Sequence, residues 1–188
     1  MKTVEDLYKS PILDKPKVPY LKKIHGDVFT LVAGLENTLS SINKDIRPGV
    51  REFIGELSDS YEIVVFTLES KEYAEQVLKL IDPKDKIAYK LYKEHAIETK
   101  GKYIKDVSKL GRDMKRVIIM DSAVESFQLQ PMNGIYVTPW SGSCNDTELL
   151  GLLPLLKVIV SERVEDVRMA LRNYRDSKLR NIMSTYYH

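Results

Sequence analysis

The sequence predicts an α/β fold: a largely parallel sheet with flanking helices and an inserted β-hairpin. Three observations predict it. Short apolar runs bounded by turn residues recur at 28–35, 61–67, 116–121 and 133–138. Stretches with apolar residues at helical spacing separate or follow them. Residues 87–105 break this alternation with two β-like runs around Glu98-Thr99-Lys100-Gly101, the pattern of a hairpin. Strands alternating with helices imply right-handed crossovers and parallel neighbours.

Taken in order, residues 1–27 read as an arm: three prolines, scattered lysines and no periodicity, as in a polyproline-like segment lying on a domain surface. The run Phe29-Thr30-Leu31-Val32-Ala33-Gly34-Leu35 is a buried strand that ends in a sharp turn at Gly34, Asn37 and Thr38. Val50, Phe53, Ile54 and Leu57 mark a first helix with Pro48 at its start. YEIVVFT (61–67) is a second buried strand. Tyr73, Ala74, Val77, Leu78 and Ile81 mark a second helix, closed by Asp82-Pro83. After the hairpin come strands at 116–121 and 133–138. A leucine-rich helix from about Asp146 is expected to kink or break at Pro154. A last amphipathic helix, Arg163 to Tyr174, turns Val164, Val167 and Leu171 inward. The core domain thus spans 28–160, followed by a helical segment over 161–188.

Composition excludes several function classes. The net charge of +2 decides little by itself, and the lack of interleaved aromatic and basic residues argues against nucleic-acid binding. One cysteine, Cys144, rules out an internal disulfide framework and a multi-cysteine metal site. His25 and His95 lack metal-ligand spacing, so neither a metal nor a cofactor is expected. The longest apolar run, Leu149 to Val160, is interrupted by Pro154 and Lys157 and falls short of the ~20 residues of a membrane span. The opening MKTVEDLYKS has neither a signal-peptide core nor an arginine-rich transit pattern, and the sequence as it stands reads as soluble. Trp140, in a Ser-Gly-Ser loop, suits either a half-exposed position or a wedge under the sheet edge.

Four segments carry chemistry: LVAGLENTL, RPGVREF with EIVVFTLES, GKYIKDVSKLGRD, and VIIMDSAVESFQLQPMNGI. In this order they resemble the phosphatases that act on the C-terminal domain of RNA polymerase II, which have haloacid dehalogenase-type folds. The resemblance covers roughly residues 28–172. It implies an aspartate nucleophile that also binds magnesium, a second aspartate as acid/base, a hydroxyl and a lysine for the phosphoryl group, and a later acidic pair that completes the metal site. By position, the nucleophile is Gly34 and the acid/base is Glu36. Thr38, Thr67 and Lys105 are kept, and the metal pair is Asp121-Ser122. A glycine has nothing with which to attack or coordinate, and losing a covalent nucleophile costs orders of magnitude in rate. The expectation is a pseudophosphatase whose Lys105 and Asp121 form a buried or half-buried ion pair.

Within the family, the run from Lys90 to Asp146 is similar to a branch that serves the presequence translocase of the mitochondrial inner membrane. The proline-rich Pro11 to Tyr20, the Leu129-Gln130-Pro131 run, Pro139-Trp140 and VEDVRMALRNY fit the same branch. This likeness implies a preprotein receptor and adaptor on the intermembrane-space side, or in a reduced mitochondrion-like organelle. Charge patterning sharpens it. Residues 51–75 carry seven acidic and two basic side chains, a net of −5, and residues 84–116 carry eleven basic and five acidic, a net of +6. Glu52, Glu56 and Glu72 are candidates for a face that attracts basic amphipathic presequences. Lys90, Lys93, Lys100 and Lys102 would form a basic hairpin for the translocase channel subunit or anionic lipid headgroups. The basic Arg168, Arg172, Arg175, Lys178 and Arg180 suit a solvated helix. Two other readings stay open: a nuclear or cytosolic pseudophosphatase that holds phosphoserine peptides through Thr38, Thr67 and Lys105, and a weak magnesium-dependent serine/threonine phosphatase using Glu36 or Asp121.

Overall fold

The computed structural model describes residues 16–24 and 26–186, with side chains described through Arg180. His25 and residues 11–15 of the proline-rich entry lie outside the described residues. Five strands form one parallel sheet in the order β3-β2-β1-β6-β7. They are β1 (Phe29–Ala33), β2 (Tyr61–Phe66), β3 (Tyr89–Leu91), β6 (Val117–Asp121) and β7 (Gly134–Tyr136). β4 (Ile97–Thr99) and β5 (Lys102–Ile104) pair antiparallel as a separate hairpin. Among the described residues, four α-helices flank the sheet: α1 (Val50–Leu57), α2 (Lys71–Ile81), α3 (Glu148–Ser161) and α4 (Val167–Tyr186).

β1 is the central strand because every residue in it is apolar or small and buried on both faces. It pairs in register with β2 (Val32 opposite Val64) and with β6 (Val32 opposite Ile119). The two faces are covered differently. Leu31, Ala33, Ile63, Val65, Ile118 and Met120 face all four helices. Val32, Val64, Phe66, Val117 and Ile119 face short turns instead: Leu21 of the arm, Val107 and Leu110, and Phe127. The arm is held there by Tyr20 and Leu21, whose N–H groups donate to the carbonyls of Lys109 and Leu110 at 2.9 and 3.4 Å.

Local chemistry sets the element ends. Gly49, in the left-handed region, caps α1, which leaves Pro48 just outside the helix. Ser70 caps α2 by accepting from the N–H of Tyr73 at 3.3 Å. Asp82 ends it, its carboxylate accepting the N–H groups of Lys86 and Ile87 at 2.9 and 2.7 Å.

Three expectations are corrected. α3 runs through Pro154 without interruption. Pro154 lies on the exposed face, while Leu149, Leu152, Leu156 and Ile159 of the same helix are buried. The last helix starts at Val167, not Arg163. Arg163 takes a left-handed φ of 47°, and the Asp166 carboxylate accepts the N–H of Arg168 at 3.0 Å, which is an N-cap. The hairpin is shorter than expected. Tyr89–Leu91 pairs in parallel with Val64–Phe66 as the sheet's edge strand because Leu91 belongs to the core beneath it. Lys90 therefore lies on β3, and Lys93 in the 3₁₀ turn that follows, while Lys100 and Lys102 remain on the hairpin.

Candidate functional site

The site lies at the carboxyl ends of β1 and β6, where the chain crosses from one side of the central strand to the other. In open α/β sheets this is where ligands bind. The ladder extends one residue beyond β1: the Gly34 N–H donates to the Met120 carbonyl at 2.9 Å. That bond fixes residue 34 beside Asp121. A Cβ on Gly34 would stand 2.5 Å from Asp121 Oδ2, 2.8 Å from its Cγ and 3.2 Å from Thr38 Oγ1. Optimal contacts between heavy atoms need about 3.5–4.0 Å. The Asp121 carboxylate thus fills the space of a side chain at residue 34.

Lys105 meets it from the segment after β5. Its Nζ donates to Asp121 Oδ2 at 2.7 Å, and both side chains are almost fully buried, 2% and 4% exposed. This is the buried ion pair expected from the sequence. The Lys105 N–H donates to the Ser126 carbonyl at 2.8 Å, which fixes the lysine's backbone. Asp121 Oδ1 accepts the Ala123 N–H at 2.9 Å, so both carboxylate oxygens have partners.

The other positions are engaged with one another. Thr38 is fully buried; its hydroxyl donates to the Glu36 carbonyl at 3.3 Å and accepts the Ser122 N–H at 3.0 Å. The Ser122 hydroxyl also donates to the Glu36 carbonyl, at 3.1 Å. The hydroxyl of buried Thr67 donates to Glu36 Oε1 and accepts the Glu69 N–H at 3.0 Å. The structure brings Gly34, Glu36, Thr38, Thr67, Lys105, Asp121 and Ser122 into one cluster, the closed pocket at the strand end.

The magnesium ion that the resemblance implies does not fit this donor set. Residue 34 offers no ligand, Asp121 is neutralised by Lys105, Glu36 is held by Thr67, and Ser122 is turned to a carbonyl. Among the described residues, no three His, Cys, Asp or Glu side chains converge as metal ligands.

Sequence reasoning did not single out the clamp around the strand-end loop. Arg47, fully buried, donates from Nε and Nη2 to both oxygens of Asp146 at 2.7 and 2.8 Å, and from Nη1 to the Thr38 carbonyl at 3.1 Å. These hydrogen bonds hold the Asp146 carboxyl below its usual range. Trp140 is a buried wedge; its backbone N–H donates to the Asn37 carbonyl at 2.8 Å and its indole N–H to the Ser143 carbonyl at 2.8 Å.

A groove of about 850 Å³ opens beside the pocket, between the start of α2 and the hairpin. Leu68, Tyr103 and Pro16 give it apolar walls, and Glu69, Glu72, Glu94 and Glu98 line it with carboxylates, against Lys71 and Lys93. Of the three predicted acids, Glu72 is here, while Glu52 and Glu56 are exposed on α1 and no α1 residue lines the groove. Glu94 and Glu98 were hidden in a stretch read as basic. The four predicted lysines are also separated. Lys90 is tied to Glu75 at 3.1 Å, and Glu75 accepts the Tyr92 hydroxyl at 2.6 Å. Tyr92 first, and then Lys90, hold the Glu75 carboxyl below its usual range. Lys93 lies over the Tyr103 ring, 4.6 Å from its centroid. Lys100 and Lys102 are exposed at the hairpin turn.

The parallel sheet, with this pocket at the end of its central strand, defines a haloacid dehalogenase-type fold. Its fold is similar to that of Fcp1, an essential RNA polymerase II CTD phosphatase, with a TM-score of 0.50 over 81% of this chain and 54% of that one, at 18% identity. The NLI interacting factor-like phosphatase family model matches residues 20–168, and the chain belongs to that family. It is 42% identical over 159 residues to the mitochondrial import inner membrane translocase subunit TIM50 of Kluyveromyces lactis, which spans 80% of this chain and 33% of that protein. It is 40% identical over 128 residues to the human protein of that name, 68% of this chain and 36% of that protein. CTD small phosphatase-like protein 2 of Dictyostelium discoideum is 41% identical over 145 residues, 77% of this chain and 25% of that protein. The chain spans a quarter to about a third of the length of these relatives.

Proposed function

We propose that this chain is the phosphatase-like domain of a preprotein receptor and adaptor for mitochondrial import, working without catalysis on the intermembrane-space side of the inner membrane. The observation that carries this reading is the groove. Mitochondrial presequences are amphipathic and basic. A groove with Leu68, Tyr103 and Pro16 on its walls and four carboxylates around them suits both faces of such a helix. The relatives named as import translocase subunits support the same assignment. In this reading the exposed Lys100 and Lys102 of the hairpin meet an acidic surface of the channel subunit or anionic lipid headgroups.

Binding of a fluorescent presequence peptide tests it. Glu72→Lys with Glu98→Lys should weaken binding at least tenfold and flatten its dependence on salt, because both changes put repulsion inside the groove. Unchanged affinity and unchanged salt slope would remove the groove from the proposal. A phosphoserine-binding role is the reading favoured by the likeness to CTD small phosphatases. It requires Lys105 to be available, and Lys105 is engaged with Asp121. Removing both charges as Lys105→Met with Asp121→Ala should leave presequence binding unchanged. Phosphoserine-peptide binding that this pair of changes abolishes would favour the other reading.

A further inference from the structure

We infer that Lys105 is the resident cation of the strand-end pocket, and that the loss of a side chain at residue 34 and the closure of the Lys105–Asp121 pair are one coupled change. The pocket is shut against a divalent cation and a phosphoryl group alike. This concerns the pocket alone and stands whether or not the groove binds presequences.

Three facts converge. The space for a residue 34 side chain is taken by the Asp121 carboxylate, 2.5 Å from where a Cβ would stand. That carboxylate is satisfied on both oxygens, by the Lys105 ammonium at 2.7 Å and the Ala123 N–H at 2.9 Å. Both charges are nearly sealed from water. A buried carboxylate without a partner is costly, and a cation in contact removes that cost. With residue 34 a glycine, Asp121 has room to lie over Gly34 and reach the ammonium, so the counter-charge comes from the chain itself. A cation entering from solution would have to displace an ammonium already in contact. A phosphoryl group would meet a lysine whose charge is neutralised and a carboxylate that repels it. Thr38 and Ser122 close the remaining side, each bonded to the backbone of this same turn.

The coupling has a direct test. Gly34→Ala in the natural sequence should lower the melting temperature by several degrees, because the new methyl collides with Asp121. The same change in a Lys105→Met, Asp121→Ala background should cost little, since the carboxylate is gone. An equal cost in both backgrounds overturns the coupling. Should that background fail to fold, two measurements on other forms still decide. Millimolar MgCl₂ or EDTA should leave the melting temperature of the natural sequence unchanged, and a magnesium-dependent rise that Asp121→Asn abolishes would overturn the inference. Gly34→Asp should stay without turnover of p-nitrophenyl phosphate, with or without magnesium. Magnesium-dependent turnover gained by that one substitution would show that the pocket opens readily, and would equally overturn it.

Discussion

Gly34 and Arg47 sit on the same loop and answer different demands. Gly34 is required by close approach: its backbone is paired to Met120 while a neighbouring carboxylate occupies its side-chain space. Arg47 holds the loop's far end, linking the Thr38 carbonyl to Asp146 across 99 residues of sequence. Because Arg47 holds the Asp146 carboxyl below its ordinary value, the pair contributes stability that is present above that value, ~3.9, and is lost as pH falls through the lowered folded value. Asp146→Asn should therefore cost about 1.5–3 kcal/mol at pH 7, the range for a hydrogen bond to a charged group. The difference from the natural sequence should persist down to about pH 5 and shrink in stronger acid. Urea unfolding across that range would check it, and a difference that grows toward low pH would refute the assignment.

Elements differ in how far their ends follow from local sequence. β1, β2, α1 and α2 lie where apolar spacing predicts them, because their caps and turn residues are adjacent in sequence. The edge strand β3 does not. Three residues, Tyr89–Leu91, look alike as half a hairpin or as a parallel edge, and the choice is made by Val64–Phe66, more than twenty residues away. α3 presents a related case: Pro154 reads locally as a break, and burial of Leu149, Leu152, Leu156 and Ile159 holds the helix through it. An interior proline costs a helix ~3 kcal/mol, and here its surroundings are solvent. Pro154→Ala should raise stability by roughly 1–3 kcal/mol with the slope of a denaturant curve unchanged. A loss of stability would mean that α3 depends on a local distortion at this position. In the pocket, the residues were legible one by one only through the resemblance to the phosphatase family, and the Lys105–Asp121 contact followed from them. The Arg47–Asp146 clamp was not legible, since nothing local in either segment says that two residues 99 apart meet.

Across the whole molecule, the acidic and basic blocks of the sequence do not become opposite faces. They neutralise each other: Glu62 pairs with Arg112 at 2.6 Å, Glu75 with Lys90 at 3.1 Å and Asp59 with Lys86 at 3.6 Å. Among the described residues, what that pairing leaves is local: Glu69, Glu72 and Glu98 of the groove, the lysines at the hairpin turn, and Glu52 of α1. Glu56 on α1 is itself tied to Lys157 of α3 at 2.6 Å, in an exposed pair of the kind that contributes little to stability. Glu52 and Glu56 thus stand outside the groove while contributing to the field around it. Charges beyond about 8 Å act weakly at physiological salt and more strongly as salt is lowered. Glu52→Lys with Glu56→Lys should therefore slow presequence association at low salt by a few-fold and leave the dissociation rate unchanged, whereas reversal of Glu72 and Glu98 should raise the dissociation rate. Stopped-flow measurements at two salt concentrations separate the two. If the α1 pair proves to control dissociation, the peptide lies across the helices, and the binding face belongs to α1 rather than to the groove between α2 and the hairpin.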